Sequence, residues 1–213
     1  MFTDRRDAGR RLAAALRDLK NESPVVLALP RGGVPVAAEI AIALGAPLDL
    51  VVARKIGLPE QPELAMGAVV EGDPPIVLRN EDVIRSAGID STTFNAACAA
   101  ERAEIARRRA RYLGGRPRIE IAGRTAILVD DGLATGATAR AALRAVRRRR
   151  PARLVLAVPV GAPETITAMR DEADAIVCLE EPEWMPAIGA FYRDFDQVAD
   201  AEVIAALARV PAA

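Results

Sequence analysis

Short apolar runs alternate with segments of helical spacing along most of this chain. Five runs have the length and composition of strands that are buried on both faces: 25–29, 48–53, 125–129, 154–160 and 175–178. Apolar residues three and four positions apart predict helices between or beside them at 4–20, 35–44, 137–148 and 163–172. This alternation is typical of a doubly wound, mainly parallel α/β sheet with right-handed crossovers.

Two regions depart from simple alternation. The sequence of residues 67–78 predicts a pair of short strands, and a polar loop at 54–66 precedes them. Residues 80–113 hold two predicted helices, the first capped by Asn80, where a single crossover would suffice. The apolar stripe of the second helix predicts packing onto the domain, with a dimer contact as the alternative. We expect a single domain over residues 1–213, with a helical insertion at about 80–113.

Composition narrows the chemistry and the partners. The chain has no histidine, which excludes catalysis by Ser-His-Asp or Cys-His groups and excludes metal sites built from histidine. Its two cysteines, Cys98 and Cys178, cannot form a thiolate metal cluster by themselves. The 29 basic and 29 acidic residues balance, so no broad basic field favours a nucleic-acid partner. We interpret the arginines at 147–150 as residues that complement the negative dipole at the C-terminus of a helix.

Membrane and secretion signals are also missing from the sequence. No apolar run reaches the roughly 18 residues that a membrane-spanning helix needs. The N-terminal residues are followed by an amphipathic stretch rather than by the continuous apolar segment of a secretion signal. We therefore expect a soluble, cytoplasmic protein with no membrane partner.

The strongest chemical signal directly follows the predicted strand 125–129. Asp130 and Asp131 lie side by side at its end, where two carboxylates are costly unless a sugar cis-diol or a metal-bridged diphosphate binds them. The next segment is small and hydroxylated, and Gly136 allows close backbone approach before a helix N-terminus whose free N–H groups suit a phosphate. If Asp130 and Asp131 only capped the following helix, one acid would be enough and the second would have no role. The segment therefore predicts a site for a sugar phosphate.

Residues 127–138 resemble the phosphoribosyl pyrophosphate (PRPP) signature of the type I phosphoribosyltransferases. The resemblance implies that Asp130 and Asp131 hold the ribose 2- and 3-hydroxyls and, indirectly through PRPP and water, a Mg²⁺ ion. It also implies that the following loop binds the 5-phosphate through Ala134, Thr135, Gly136, Ala137 and Thr138. The fold expected from the resemblance is the mainly parallel α/β sheet of that family, with a small C-terminal hood at about 179–198.

Two further loops resemble functional loops of the same family. The turn after the first strand is similar to the pyrophosphate loop, which here supplies Arg31, Gly32 and Gly33. The stretch 54–67 looks like the mobile catalytic loop, which here supplies Arg54, Lys55 and Glu63. The resemblance implies that the basic side chains of these loops contact the leaving pyrophosphate. It also makes Glu63 a candidate to exchange a proton with the base. From the residues alone, an ordinary glycine turn and a solvated lysine are equally compatible with these patterns.

The predicted hood carries three more candidates. Arg193 matches an arginine that contacts pyrophosphate in purine-salvage members of the family. Trp184 and Tyr192 lie in the same aromatic stretch and are candidates to stack on a nucleobase, with core packing as the alternative. Ala134 and Ala187 stand where hypoxanthine-guanine enzymes carry an aspartate and a metal-binding acid, and these departures argue against a standard hypoxanthine-guanine role.

The resemblance implies a PRPP-dependent pentosyltransferase of nucleotide salvage. Such an enzyme moves the 5-phosphoribosyl group to a nitrogen acceptor, here expected to be a nucleobase, and releases pyrophosphate with the help of Mg²⁺. The alternative is a non-catalytic PRPP-binding regulator, because a binding signature does not establish turnover. Members of the family commonly pair, so a homodimer is compatible with the resemblance.

Overall fold

The computed structural model describes residues 1–72 and 74–210 of the chain. The described residues form eight strands: β1 (Val25–Ala28), β2 (Leu48–Leu50), β3 (Ala53–Gly57), β4 (Ala65–Val70), β5 (Ile76–Arg79), β6 (Thr125–Val129), β7 (Arg153–Val160) and β8 (Ala175–Glu180). They also form seven α-helices: α1 (Arg5–Ala15), α2 (Gly33–Leu44), α3 (Glu81–Ser86), α4 (Ser91–Leu113), α5 (Ala137–Arg148), α6 (Pro163–Met169) and α7 (Asp200–Ala208). Short 3₁₀ helices occupy Arg17–Glu22 and Ile188–Phe191. None of the helices in this part of the chain combines the length and apolarity that a membrane crossing requires.

A five-stranded parallel sheet in the order β2-β1-β6-β7-β8 forms the centre of the fold. The strands β1, β2, β6 and β7 are buried on both faces, as the apolar runs predict, whereas the edge strand β8 is half-buried. Val26 and Ala28 of β1 face one core with α1 and α2, whereas Val25 and Leu27 face a second core with α5 and α6. Burying each such valine or leucine contributes about 1.5–3 kcal/mol. The doubly wound α/β class is therefore confirmed.

The strand order reverses between β1 and β6, and this reversal creates the crevice of the sheet. β2 lies on one side of β1, and β6, β7 and β8 follow on the other. The connections that leave β1 and β6 therefore diverge to opposite faces. Ligands of open α/β sheets bind beyond the carboxyl ends of the strands at such a point.

The stretch predicted as a polar loop at 54–66 begins with a strand, so that prediction was wrong in part. β3 pairs antiparallel with β4, with Lys55 opposite Ala68, and β4 pairs with β5. The three strands form a separate small sheet. Within β3 only Ile56 is buried, and a single inward apolar side chain that follows two charged residues is too weak a strand signal.

The helical insertion packs against this small sheet. Asn80 accepts a hydrogen bond from Val83 N at 3.4 Å, so it caps α3 as predicted. The predicted stripe of α4 is buried within the chain: Phe94, Cys98, Ile105 and Tyr112. Arg109, on the same helix, bridges the buried carboxylates of Asp49 at 3.2 Å and Glu71 at 3.1 Å. These contacts join α4 to both sheets.

The N-terminal residues pair with the segment that the sequence assigns to the hood. Phe2 N donates to Phe191 O at 2.7 Å, and Arg193 N donates to Phe2 O at 2.9 Å. The Phe2 and Tyr192 rings lie 5.3 Å apart between centroids. The segment 179–198 is thus completed by the other end of the chain, which the sequence pattern does not indicate.

Candidate active site

The turn after β1 lies directly on the acid pair that ends β6. Leu29 N donates to Val129 O at 2.9 Å, which joins the two strand ends. A Cβ atom on Gly32 would overlap the Asp131 carboxylate, and one on Gly33 would lie 2.7 Å from Val129 O. Both glycines are therefore required by the close approach of the two loops. The structure brings the predicted pyrophosphate loop and the predicted diol-binding acids together at the crevice.

The two acids have different surroundings. Asp130 is half-buried, and its Oδ1 accepts a hydrogen bond from the backbone N of Asp131 at 2.9 Å. Burial, together with the neighbouring Asp131 carboxylate, raises the pKa of Asp130 well above the ordinary value for an aspartate. Asp131 is 9% exposed, and its Oδ2 accepts a hydrogen bond from Arg5 Nε at 2.8 Å. Within the described ranges, only one of the two carboxylates thus has a protein cation in contact.

The loop 134–138 has the features of an anion site. Thr165 Oγ1 donates to Ala134 O at 2.6 Å and fixes the loop from α6. Gly136 has φ of +70°, and α5 begins directly after it without a side-chain cap. The first N–H groups of α5 therefore remain available, and the helix dipole favours a negative charge there. Thr135 and Thr138 are exposed beside them.

The residues of the predicted catalytic loop point in different directions. Arg54 and Lys55 are neighbours on β3, so their side chains lie on opposite faces of the small sheet. Arg54 Nε donates to Glu101 Oε2 of α4 at 2.7 Å. Lys55 lines a cavity of about 610 Å³ together with residues of the loop 134–138, and Arg54 contributes to the rim of the same cavity. Glu63 is 99% exposed, with Oε2 3.9 Å from Lys55 Nζ.

Arg31, in the predicted pyrophosphate loop, lies beside the carboxylate of Asp200. Its Nη1 is 3.8 Å from Asp200 Oδ1, and its side chain is 31% exposed. Asp200 also accepts a hydrogen bond from Tyr112 at 2.7 Å and pairs with Arg111 at 3.0 Å. The Tyr112 hydrogen bond is the main reason that the pKa of Asp200 is lowered. The end of α4 is thus connected to the turn 29–33 through the start of α7.

The aromatic candidates also differ in their placement. Tyr192 is 6% exposed, packs between Phe2 and Phe195, and donates its hydroxyl to Asp131 O at 2.6 Å. Its ring is covered by protein in this structure, and its contact fixes the backbone of the acid pair. Trp184 is 78% exposed and keeps an open ring face. The Arg193 side chain is exposed as well.

Sequence reasoning missed Arg5. Its Nε contacts Asp131, its Nη1 donates to Asp196 O at 2.8 Å, and its guanidinium lies 3.8 Å from the Phe195 ring centroid. The helical pattern of residues 4–20 predicts this arginine on the polar side of the helix, away from the core. One signal was available, because Arg5 and Arg6 open α1 at the end where the helix dipole favours acidic residues. An arginine at that end needs a compensating acid.

The acid pair fits a Mg²⁺ ion that is shared with a ligand. Carboxylate oxygens are hard donors of the kind that Mg²⁺ prefers. In the described ranges, no three His, Cys, Asp or Glu side chains cluster closely enough to hold a metal alone. Mg²⁺ in proteins commonly keeps several waters and binds one or two carboxylates together with substrate phosphates. Asp130 and Asp131 supply this kind of donor set.

Comparisons with known proteins agree with this geometry. The phosphoribosyl transferase domain family matches residues 3–196. A Mycobacterium tuberculosis H37Rv protein named "Putative phosphoribosyl transferase Rv0571c" is 46% identical over 209 residues, which cover 98% of this chain and 47% of that protein. This chain thus spans about half the length of that curated relative. The crystal structure of TT1426 from Thermus thermophilus matches with a TM-score of 0.83 at 43% identity, over 99% of both chains. The chain belongs to the phosphoribosyl transferase domain family.

Proposed function

We propose that this chain transfers the 5-phosphoribosyl group of PRPP to a nitrogen acceptor, a nucleobase, and releases pyrophosphate with the help of Mg²⁺, as a reaction of nucleotide salvage. One observation carries the proposal. The acid pair Asp130–Asp131 lies between the glycine turn 29–33, which resembles a pyrophosphate loop, and the uncapped start of α5, which suits a phosphate. A ribose with its diol on the acids would have a phosphate element on either side.

The residues of the crevice would first bind and orient PRPP. Asp130 and Asp131 accept hydrogen bonds from the ribose hydroxyls, and the loop 134–138 binds the 5-phosphate through its N–H groups and threonine hydroxyls. The turn 29–33 would lie against the pyrophosphate, and Gly32 and Gly33 allow this turn to pack on the acid pair, because a Cβ atom at either position would meet Asp131 or Val129 O. Fixed positioning of this kind lowers the barrier by removing the entropy cost of orientation.

The chemical step breaks the bond between the anomeric carbon and pyrophosphate and forms a bond to the acceptor nitrogen. Negative charge grows on the leaving group and positive charge on the ribose. Arg31, Lys55 and Arg193 would offset the first, and Asp131 the second. When bound, Mg²⁺ supplies further neutralisation of the pyrophosphate oxygens. Glu63 would reach the base only with its loop closed, because it is fully exposed here.

The test measures pyrophosphate release from PRPP across a panel of purine and pyrimidine bases, with Mg²⁺ or with EDTA. Asp131→Asn is the site variant. Asp18→Asn is the matched control, because the Asp18 side chain is 94% exposed. We expect release with at least one base, dependence on Mg²⁺, wild-type rates for Asp18→Asn and at least a hundredfold loss for Asp131→Asn, about 2.7 kcal/mol of barrier.

Two other results would change the conclusion. If no base supports release but PRPP still raises the melting temperature of the wild type and not of Asp131→Asn, the chain is a PRPP-binding regulator. If PRPP with Mg²⁺ changes neither the melting temperature nor the heat of titration, the site does not bind this sugar phosphate and the proposal is refuted.

A further inference from the structure

Arg5 is fixed in the wall of the candidate site by three independent contacts. Its Nε donates to Asp131 Oδ2, its Nη1 donates to the backbone oxygen of Asp196, and its planar group lies on the Phe195 ring. The Arg5 and Asp131 side chains are only 12% and 13% exposed. A guanidinium held by two hydrogen bonds and a ring has little freedom to leave.

This arrangement divides the two oxygens of Asp131 between different tasks. Oδ2 is bonded to Arg5, whereas Oδ1 has no hydrogen-bond partner among the residues that the structure describes. The carboxylate is therefore oriented, and one oxygen remains for an external O–H donor. A carboxylate that rotates freely would have to lose that freedom when a ligand binds.

Charge gives Arg5 a second effect. Asp130 and Asp131 are adjacent, and a ligand with phosphate groups would bring more negative charge beside them. Arg5 is the cation in direct contact with this pair among the described residues, and it offsets one of the two carboxylates. The pair can then accept hydrogen bonds from a diol with less repulsion toward the phosphates.

We propose that Arg5 is a positioning residue for diol recognition: it orients Asp131 so that Oδ1 accepts a hydrogen bond from the cis-diol of a sugar phosphate. This inference rests on the proposed function, because it takes Asp131 as a ribose-binding acid. It adds that selectivity for a ribose-bearing ligand depends on the N-terminal helix. Ligands without a diol, such as inorganic pyrophosphate, should depend on Arg5 only through its charge, and therefore much less than PRPP does.

The experiment measures the affinities of PRPP and of inorganic pyrophosphate, each with Mg²⁺, by titration calorimetry on the full chain. Arg5→Gln removes the contact. Arg6→Gln is the matched control, because it removes the same charge at the next position from an exposed side chain that has no ion pair with other described residues. Arg5→Lys keeps the charge, but one ammonium cannot reproduce the planar contacts to Asp131, Asp196 and Phe195 together.

We expect Arg5→Gln to weaken PRPP binding at least tenfold, Arg5→Lys to give an intermediate loss, and Arg6→Gln to stay within twofold of the wild type. Pyrophosphate binding should stay within about threefold in all of them. Melting temperatures show whether each variant is folded. If Arg5→Gln is unfolded, the comparison of Arg5→Lys with Arg6→Gln provides the test.

Equal PRPP affinity in Arg5→Gln and Arg6→Gln would overturn the role of Arg5. Equal losses for PRPP and pyrophosphate would also overturn it, since they would point to a general effect of charge or folding. If the wild type binds no PRPP, the proposed function fails first, and the role of Arg5 falls with it. The wild-type titration therefore separates the two failures.

Discussion

Changing Tyr192 to Phe removes one oxygen atom and tests how the acid pair is held. The Tyr192 hydroxyl donates to Asp131 O at 2.6 Å in a buried environment. Without it, that carbonyl loses its partner, and a buried unpaired acceptor costs about 1–3 kcal/mol. Burial raises the pKa of Tyr192, so the hydroxyl stays a neutral donor throughout the neutral range. The rings of Phe2 and Phe195 can pack against Phe as they do against Tyr.

A loss of about 2 kcal/mol should lower the melting temperature of a domain of this size by about 4–8 °C. Thermal and urea unfolding at pH 7 measure this loss, and PRPP titration shows whether Asp131 is displaced. The chain offers a matched control in Tyr112→Phe, whose partner is the partly exposed carboxylate of Asp200, already paired with Arg111. We expect that variant to lose less than the Tyr192 variant, because the Asp200 carboxylate keeps Arg111 and solvent as partners. Equal losses in the two variants would refute the reasoning.

The other predictions concern the loops and the insertion. Gly32→Ala would push the Asp131 carboxylate aside and should weaken PRPP binding at least tenfold by calorimetry, whereas Gly45→Ala, strained at φ of +64° but with no atom near its Cβ, should lower only the melting temperature. Lys55→Ala should lower turnover at least tenfold without changing the melting temperature, because its side chain is 54% exposed, and an unchanged rate would remove it from the site. Hydrogen bonds from two arginines lower the pKa of Glu104 to about 2. Its stabilising effect is therefore present above its ordinary pKa and lost as the pH falls from about 4.5 to about 2. In urea unfolding, Glu104→Gln should cost under about 1 kcal/mol at pH 7 and progressively less as the pH falls through about 2, while a constant difference would contradict this origin.

The sequence was sufficient for the parts of the site that are local in the chain. A buried strand, two acids and a small loop before a helix occur in one run, so 125–138 could be predicted and the structure shows the same order. The turn at 29–33 could be assigned to the same crevice, because parallel strands end at one edge of a sheet. Both pieces depend only on short-range pattern and on the rule for parallel sheets.

The parts that could not be predicted depend on which distant segments meet. Arg5 reaches Asp131 because residues 2–3 pair with the hood, and nothing in the helical spacing of α1 indicates that pairing. The opposite directions of Arg54 and Lys55 would follow from β3, but that strand has too little apolar patterning to be recognised. An aromatic residue such as Tyr192 is compatible with stacking or with packing until its neighbours are known.

The link between Arg5 and the hood has a consequence for how the protein assembles. Its two hydrogen bonds join positions 126 and 191 residues apart, so the N-terminal helix reaches its final contacts only when Asp131 and Asp196 are in place. Contacts over such separations form late, because the loop-closure entropy is lost before they stabilise the chain. During refolding, helix and sheet signals should therefore return before the capacity to bind PRPP, and recovery of binding marks the joining of the two ends of the described chain.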